Sequence, residues 1–86
     1  MQPETFTDYI IVRVVCLYEQ EVEFRMRRTT SMKVLKREYA RRLSINRHTV
    51  TFVFDGCRIM DNDTPQTLDM HNNAEICVYP AVGRRA

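Results

Sequence analysis

Three features of this 86-residue sequence predict an α+β fold, a mixed sheet with one helix packed across a face. Two neighbouring segments, Tyr9–Cys16 and Val22–Arg28, alternate apolar and polar residues with the period of two that half-buried strands require. From Met32 the period changes, and Met32, Leu35, Tyr39 and Leu43 fall on one face of an amphipathic helix. Three further short β-rich runs follow, so the order reads β–β–α–β–β–short helix–β, with about five strands.

Each element has its own signal. Ile10, Val12 and Val14 share one face of the first strand, and Val22, Phe24 and Met26 share one face of the second. Leu17–Gln20 reads as the loop between them, although it lacks the Gly, Asn or Asp that tight hairpins favour. Thr29 and Thr30 are placed to cap the helix, and Ser44–His48 interrupts its stripe. Val50–Phe54 is rich in β-formers, and Asp55-Gly56 marks a tight turn into a short strand near Arg58–Ile59. Asp63-Thr64-Pro65 reads as a capped helical turn with Pro at its first position, anchored inward by Leu68. Ala74–Tyr79 alternates again, with Ile76 and Val78 facing in, and Pro80 stops it for want of an N–H.

Composition narrows the class. At 10.2 kDa, 44% hydrophobic and 28% charged, the chain fits one small globular domain. Its longest apolar runs, Tyr9–Val12 and Val14–Tyr18, are far short of the roughly 20 residues of a membrane helix. Met1-Gln2-Pro3-Glu4 has no basic stretch leading into an apolar one, so no secretory signal is expected. Cys16, Cys57 and Cys77 cannot all pair within the chain and show no CxxC spacing, which favours a reducing compartment and no structural zinc. These cysteines, His48 and His71 form no nucleophile–base or ligand spacing, so neither catalytic residues nor a metal or cofactor are expected. Nine of the 13 Lys and Arg lie between Arg25 and Arg47, while His48–Gly83 holds five acids against the single base Arg58. One flank is expected to be positive and the other negative. A nucleic-acid contact through the basic cluster is one reading, disfavoured because the cluster offers no aromatic platform for stacking bases.

Several stretches then carry a family resemblance. They are Tyr9-Ile10-Ile11-Val12-Arg13-Val14, Glu21-Val22-Glu23-Phe24-Arg25, Thr29 through Tyr39, the long run from Phe52 to Met70 that opens Phe-Val-Phe-Asp-Gly-Cys-Arg-Ile, and Ile76-Cys77-Val78-Tyr79. Over about residues 8–79 the chain resembles the SUMO type of ubiquitin-like protein. The resemblance implies a β-grasp fold over residues 9–79, with short tails at 1–8 and 80–86, and a nuclear or cytoplasmic location.

It also implies activities to weigh. SUMO-type modifiers finish in two glycines a few residues past the last strand, whereas here Arg84 and Arg85 occupy those positions, with Gly83 before them. Two bulky cations do not fit a channel shaped for glycine, so conjugation is expected only after unusual processing. The other family activity is non-covalent capture of a short apolar–acidic peptide as an added strand beside the second strand and the helix. By resemblance that groove comprises Val22, Phe24, Met26, Val34 and Leu35, rimmed by Arg25, Arg27 and Arg42. Val34 stands where the family commonly has a lysine, which favours a more apolar peptide with fewer flanking acids; Glu23 is expected on the opposite face. A face for the conjugating enzyme would use Asp55, Asp61 and Asp63, weakened by His71-Asn72-Asn73 where the family is acidic. Ile11, Val15, Leu17 and Tyr18 point away from the core and would form an apolar interface for a partner protein or a second copy. Leu35-Lys36-Arg37-Glu38 matches the pattern that receives a SUMO, but it lies mid-helix and reads as an ordinary charged face. The sequence thus points to a non-enzymatic SUMO-like interaction domain, an adaptor or decoy. Its partners would be proteins with apolar–acidic motifs and SUMO-pathway enzymes, not membranes.

Overall fold

The structure, a computed structural model, describes residues 8–16 and 19–81. Five strands form one mixed sheet in the order β2-β1-β5-β3-β4. They are β1 (Tyr9–Cys16), β2 (Glu19–Arg27), β3 (Val50–Phe54), β4 (Cys57–Arg58) and β5 (Ala74–Pro80), with helix α1 (Met32–Leu43) between β2 and β3. β1 and β5 run parallel at the centre, and every other pairing is antiparallel.

The expected alternation sorts the core. Ile10, Val12 and Val14 of β1, Phe24 and Met26 of β2, Phe52 of β3, and Ile76 and Val78 of β5 are buried on one face. Met32, Leu35 and Tyr39 of α1 close that face, and the Tyr39 and Phe52 rings meet edge-on with centroids 5.6 Å apart. Ala40 joins the buried stripe, while Leu43 is only partly buried against it.

Boundaries differ from expectation where main-chain bonding overrode side-chain type. The β1–β2 ladder extends to Cys16↔Glu19, so Glu19 and Gln20 are strand and not loop. Backbone pairing does not require apolar side chains, so polar composition alone misread these two. The helix cap is Ser31 and not Thr29 or Thr30: the Ser31 Oγ accepts from the Lys33 N–H at 3.2 Å. Thr29 and Thr30 are spent in the preceding turn, where Thr30 N–H donates to Arg27 O. At the far end Ser44 adopts φ 56 and its N–H returns to Ala40 and Arg41 carbonyls. The interrupted segment then makes a 3-10 turn, Arg47–Thr49, with the Asn46 side chain accepting from His48 N–H.

Asp55 and Gly56 both have positive φ, 54 and 81, as a two-residue hairpin turn of this hand demands. The strand after it is Cys57–Arg58, one residue earlier than expected, because Ile59 turns in to become core. Around Pro65 a single turn forms, capped by Thr64, whose Oγ1 accepts from Thr67 N–H at 3.0 Å. It does not lengthen into a helix: Asp69 enters positive φ, and Met70 N–H closes on Pro65 O. Pro65 is fully buried, whereas Leu68 is only partly so. β5 includes Pro80 as its last residue, opposite Val50. No helix among the described residues is long and apolar enough to cross a membrane, and no group of His, Cys, Asp or Glu among them could hold a metal ion.

Candidate peptide-binding groove

β2 lies at the edge of the sheet, paired with β1 on one side only. Its other side leaves main-chain N–H and C=O groups open beside α1. Between them runs a groove of about 280 Å³ lined by Glu23, Phe24, Arg25, Met26, Thr30, Val34, Leu35, Glu38 and Arg42. Residues of both parities line it because its wall is the strand's edge and not one of its faces.

The floor is made by residues that are also core: Phe24 and Met26 are each 8% exposed and Leu35 is 3% exposed. Val34, by contrast, is 53% exposed and stands open at the helix wall. The Arg42 guanidinium lies 4.8 Å from the centre of the Phe24 ring, which fixes the cation above the floor. Glu38 is bonded by Arg41 and lies 3.7 Å from Arg42. The Arg41 hydrogen bond, ahead of the charges of Arg41 and Arg42, holds the Glu38 carboxyl below the usual carboxylate range. The groove wall therefore carries a standing negative charge beside its arginine.

Of the expected groove residues, the structure brings together Phe24, Arg25, Met26, Val34, Leu35 and Arg42 and leaves out Val22 and Arg27. Val22 packs partly against the core instead. Arg27 belongs to the outer sheet face with Arg25, and the two guanidiniums each lie 4.9 Å from the Tyr9 ring centre. Glu23, expected away from the groove, and Thr30 and Glu38 are lining residues that the sequence reading missed. Their signal was proximity to an edge strand, which the sequence order alone does not reveal.

The other expected surfaces change as well. Ile11 and Val15 stand on the outer face and are half-buried, flanked across the ladders by Arg25 and Cys77 respectively. Leu17 and Tyr18 lie outside the described residues. On that face Arg13 pairs with Glu21 at 2.8 Å and with Glu75 at 3.3 Å. Asp55, Asp61 and Asp63 differ in what holds them. Asp55 is exposed in its turn, Asp61 is held by Lys36 and Arg47, and Asp63 accepts from Met60 N–H at 2.8 Å. Lys36, in the stretch read as an ordinary charged face, donates to Ile59 O at 2.7 Å and to Asp61, with its side chain 13% exposed. It is a structural tie and not a presented amine. Of the bases between Arg25 and Arg47, Arg25 and Arg27 stack on Tyr9 of the outer sheet face, Arg42 stands over the groove, and Lys36 and Arg47 hold Asp61.

Comparison with known proteins agrees with this architecture. Residues 10–79 match the family model described as Ubiquitin-2 like Rad60 SUMO-like. A Small ubiquitin-related modifier of Caenorhabditis elegans is 44% identical over 72 residues, which cover 84% of this chain and 79% of that protein. The solved structure of Caldiarchaeum Subterraneum Ubiquitin superposes with a TM-score of 0.78, covering 88% of this chain and 99% of that one at 11% identity, a likeness of fold alone. The similarity to a modifier agrees with the expectation of a domain that is not an enzyme. With a matched model over most of its length and a close relative beside it, the chain belongs to the SUMO-like family of ubiquitin-like proteins and has the β-grasp fold.

Proposed function

We propose that the domain works non-covalently, as an adaptor or decoy that takes an extended apolar peptide of a partner protein as a further strand along β2. One observation carries this reading: the open edge of β2 adjoins a groove with an apolar floor and a ring-stacked arginine. Main-chain bonds along the edge supply affinity, and Val34, Phe24 and Leu35 supply side-chain contact. Arg42 attracts acids flanking the peptide, while ionised Glu38 and uncharged Val34 temper that attraction. Peptides with few flanking acids are therefore favoured. Three thiols without a disulfide suit a reducing nuclear or cytoplasmic setting.

The test is an amide-resolved NMR titration with a short apolar–acidic peptide. Shifts confined to the β2 edge, Val34, Leu35 and Arg42 support the proposal, and no shifts at millimolar peptide reject it. A second reading, a conjugated modifier, is favoured by the name of the Caenorhabditis elegans relative. Against it stands Gly83 followed by Arg84-Arg85 in place of two glycines. Adenylation by an activating enzyme, or a mass shift on target proteins, would decide for the modifier.

A further inference from the structure

A second recess, of about 350 Å³, lies outside the groove and is lined by Lys36, Arg47, His48, Arg58, Met60 and Asp61 over a floor of Phe52 and Ile59. At about 100° of rotation per helical residue, Lys36 projects from the flank of α1 opposite Val34, Glu38 and Arg42. The two sites thus have separate walls. Three permanent cations face one carboxylate here, a surplus of two positive charges.

The cations retain donors. An ammonium has three, and Lys36 uses one on Ile59 O at 2.7 Å and one on Asp61 Oδ1 at 2.9 Å. Arg47 reaches Asp61 through Nη1 alone, at 3.2 and 3.3 Å, so Nε and Nη2 remain for a ligand. Arg58 is exposed, and Met60, 56% exposed, adds an apolar rim.

We propose that this recess binds the phosphoryl group of a phosphoserine or phosphothreonine in a partner peptide, with an apolar residue beside it on Met60. A phosphate monoester carries about −1.5 to −2 charges at neutral pH, which matches the surplus, and its three oxygens accept from several donors at once. The arginine forks of Arg47 and Arg58 suit phosphate geometry better than a lone ammonium would. The three cations converge on one open recess of about 350 Å³, which fits one phosphoryl group and not a nucleic-acid backbone.

The experiment is an NMR titration of the whole chain with acetyl-Leu-phosphoserine-Leu-amide. Parallel titrations use its unphosphorylated twin, inorganic phosphate, and a short single-stranded DNA. The expected result is shifts at Lys36, Arg47, His48, Arg58 and Met60, none at Phe24, Val34 or Arg42, and no response to the twin. Arg58→Gln, on an exposed side chain, should weaken the phosphopeptide about tenfold while leaving the groove's own peptide titration unchanged. Equal shifts with the twin, no shifts at millimolar phosphopeptide, or unaltered affinity in Arg58→Gln would overturn the proposal. Inorganic phosphate binding as tightly as the phosphopeptide, or DNA binding more tightly, would overturn its assignment to a peptide.

Discussion

The ammonium of Lys36 lies 2.9 Å from an oxygen of Asp61 while also donating to Ile59 O, so a mid-helix side chain ties α1 to the segment after β4. The same segment reaches back: Asp63 O accepts from Met32 N–H at 2.7 Å and Asp61 O from Lys33 N–H at 3.1 Å. Carbonyls of the segment thereby satisfy two of the helix's first amides, which have no partner within the helix. The helix and this segment brace one another.

Lys36→Met should therefore destabilise the fold, by about 1 kcal/mol, since Asp61 is partly exposed and solvent screens its half of the bond. In a domain of this size that lowers the melting temperature by roughly 4–8 °C. Thermal unfolding followed by circular dichroism checks it. A shift smaller than about 1 °C would show that the tie is passive.

The same pair sets an acid response. Lys36 first, then Arg47, holds the Asp61 carboxyl below its ordinary value against the opposing effect of desolvation. A carboxyl with a depressed folded value stabilises the fold fully above its unfolded value of about 4 and loses that contribution as pH falls through the folded value. Asp61→Asn should cost stability at pH 7 and cost less at pH 3, as read by urea midpoints at the two values. An equal loss at both would assign the effect to packing and not to charge.

How much of this was legible in sequence depends on which interaction decides each feature. Core residues such as Val12, Phe24 and Ile76 declared themselves by period, because burial of alternate side chains is what makes the pattern. The Asp55-Gly56 turn was legible because few residues accept positive φ. Ser31, Glu19 and the walls of the groove were not. Ser31 follows two threonines that can also cap, and which of the three does so depends on where the turn from Arg27 ends. Glu19 is strand through its main chain. Glu38 and Thr30 become groove residues only because β2 lies at an edge, a fact of strand order that no local pattern encodes.

Ser44 closes α1 at φ 56, ψ 42, where a Cβ is strained and glycine is not. Ser44→Gly should raise stability by about 0.5–1 kcal/mol, the relief of strain exceeding the entropy that glycine adds to the unfolded chain. A urea midpoint that rises with an unchanged slope is the expected readout. A fall would mean that the serine side chain contributes more than its backbone costs.

Cys57 is exposed on β4, whereas Cys16 and Cys77 are half-buried. A reagent in solution reaches an exposed sulfur before a half-buried one. A disulfide reagent should modify Cys57 first in the folded chain, and Cys57→Ser should remove the fast phase. Persistence of that phase in the variant would place a mobile opening at one of the other two.

Glu38 and Arg42 face the same groove with opposite charges, so their removal should move affinity for an acidic peptide in opposite directions. Glu38 is ionised at neutral pH, as any exposed carboxylate is, and the Arg41 hydrogen bond lowers its value further, so it repels the acids that Arg42 attracts. Glu38→Gln should tighten an apolar–acidic peptide by about two- to fivefold, and Arg42→Gln should weaken it by a similar factor, each change shrinking as salt rises. Val34→Lys should act like Glu38→Gln, because it adds a cation at an exposed position without touching the floor; its stability should stay within about 0.5 kcal/mol of the parent. Leu35 is unsuitable for the same purpose, since truncating a side chain so buried costs about 2–5 kcal/mol and confounds binding with folding. Calorimetric titration of the three variants with acidic and neutral-flanked peptides separates the effects. If all three leave the ratio of the two affinities unchanged, the charge of the groove wall plays no part in choosing the peptide.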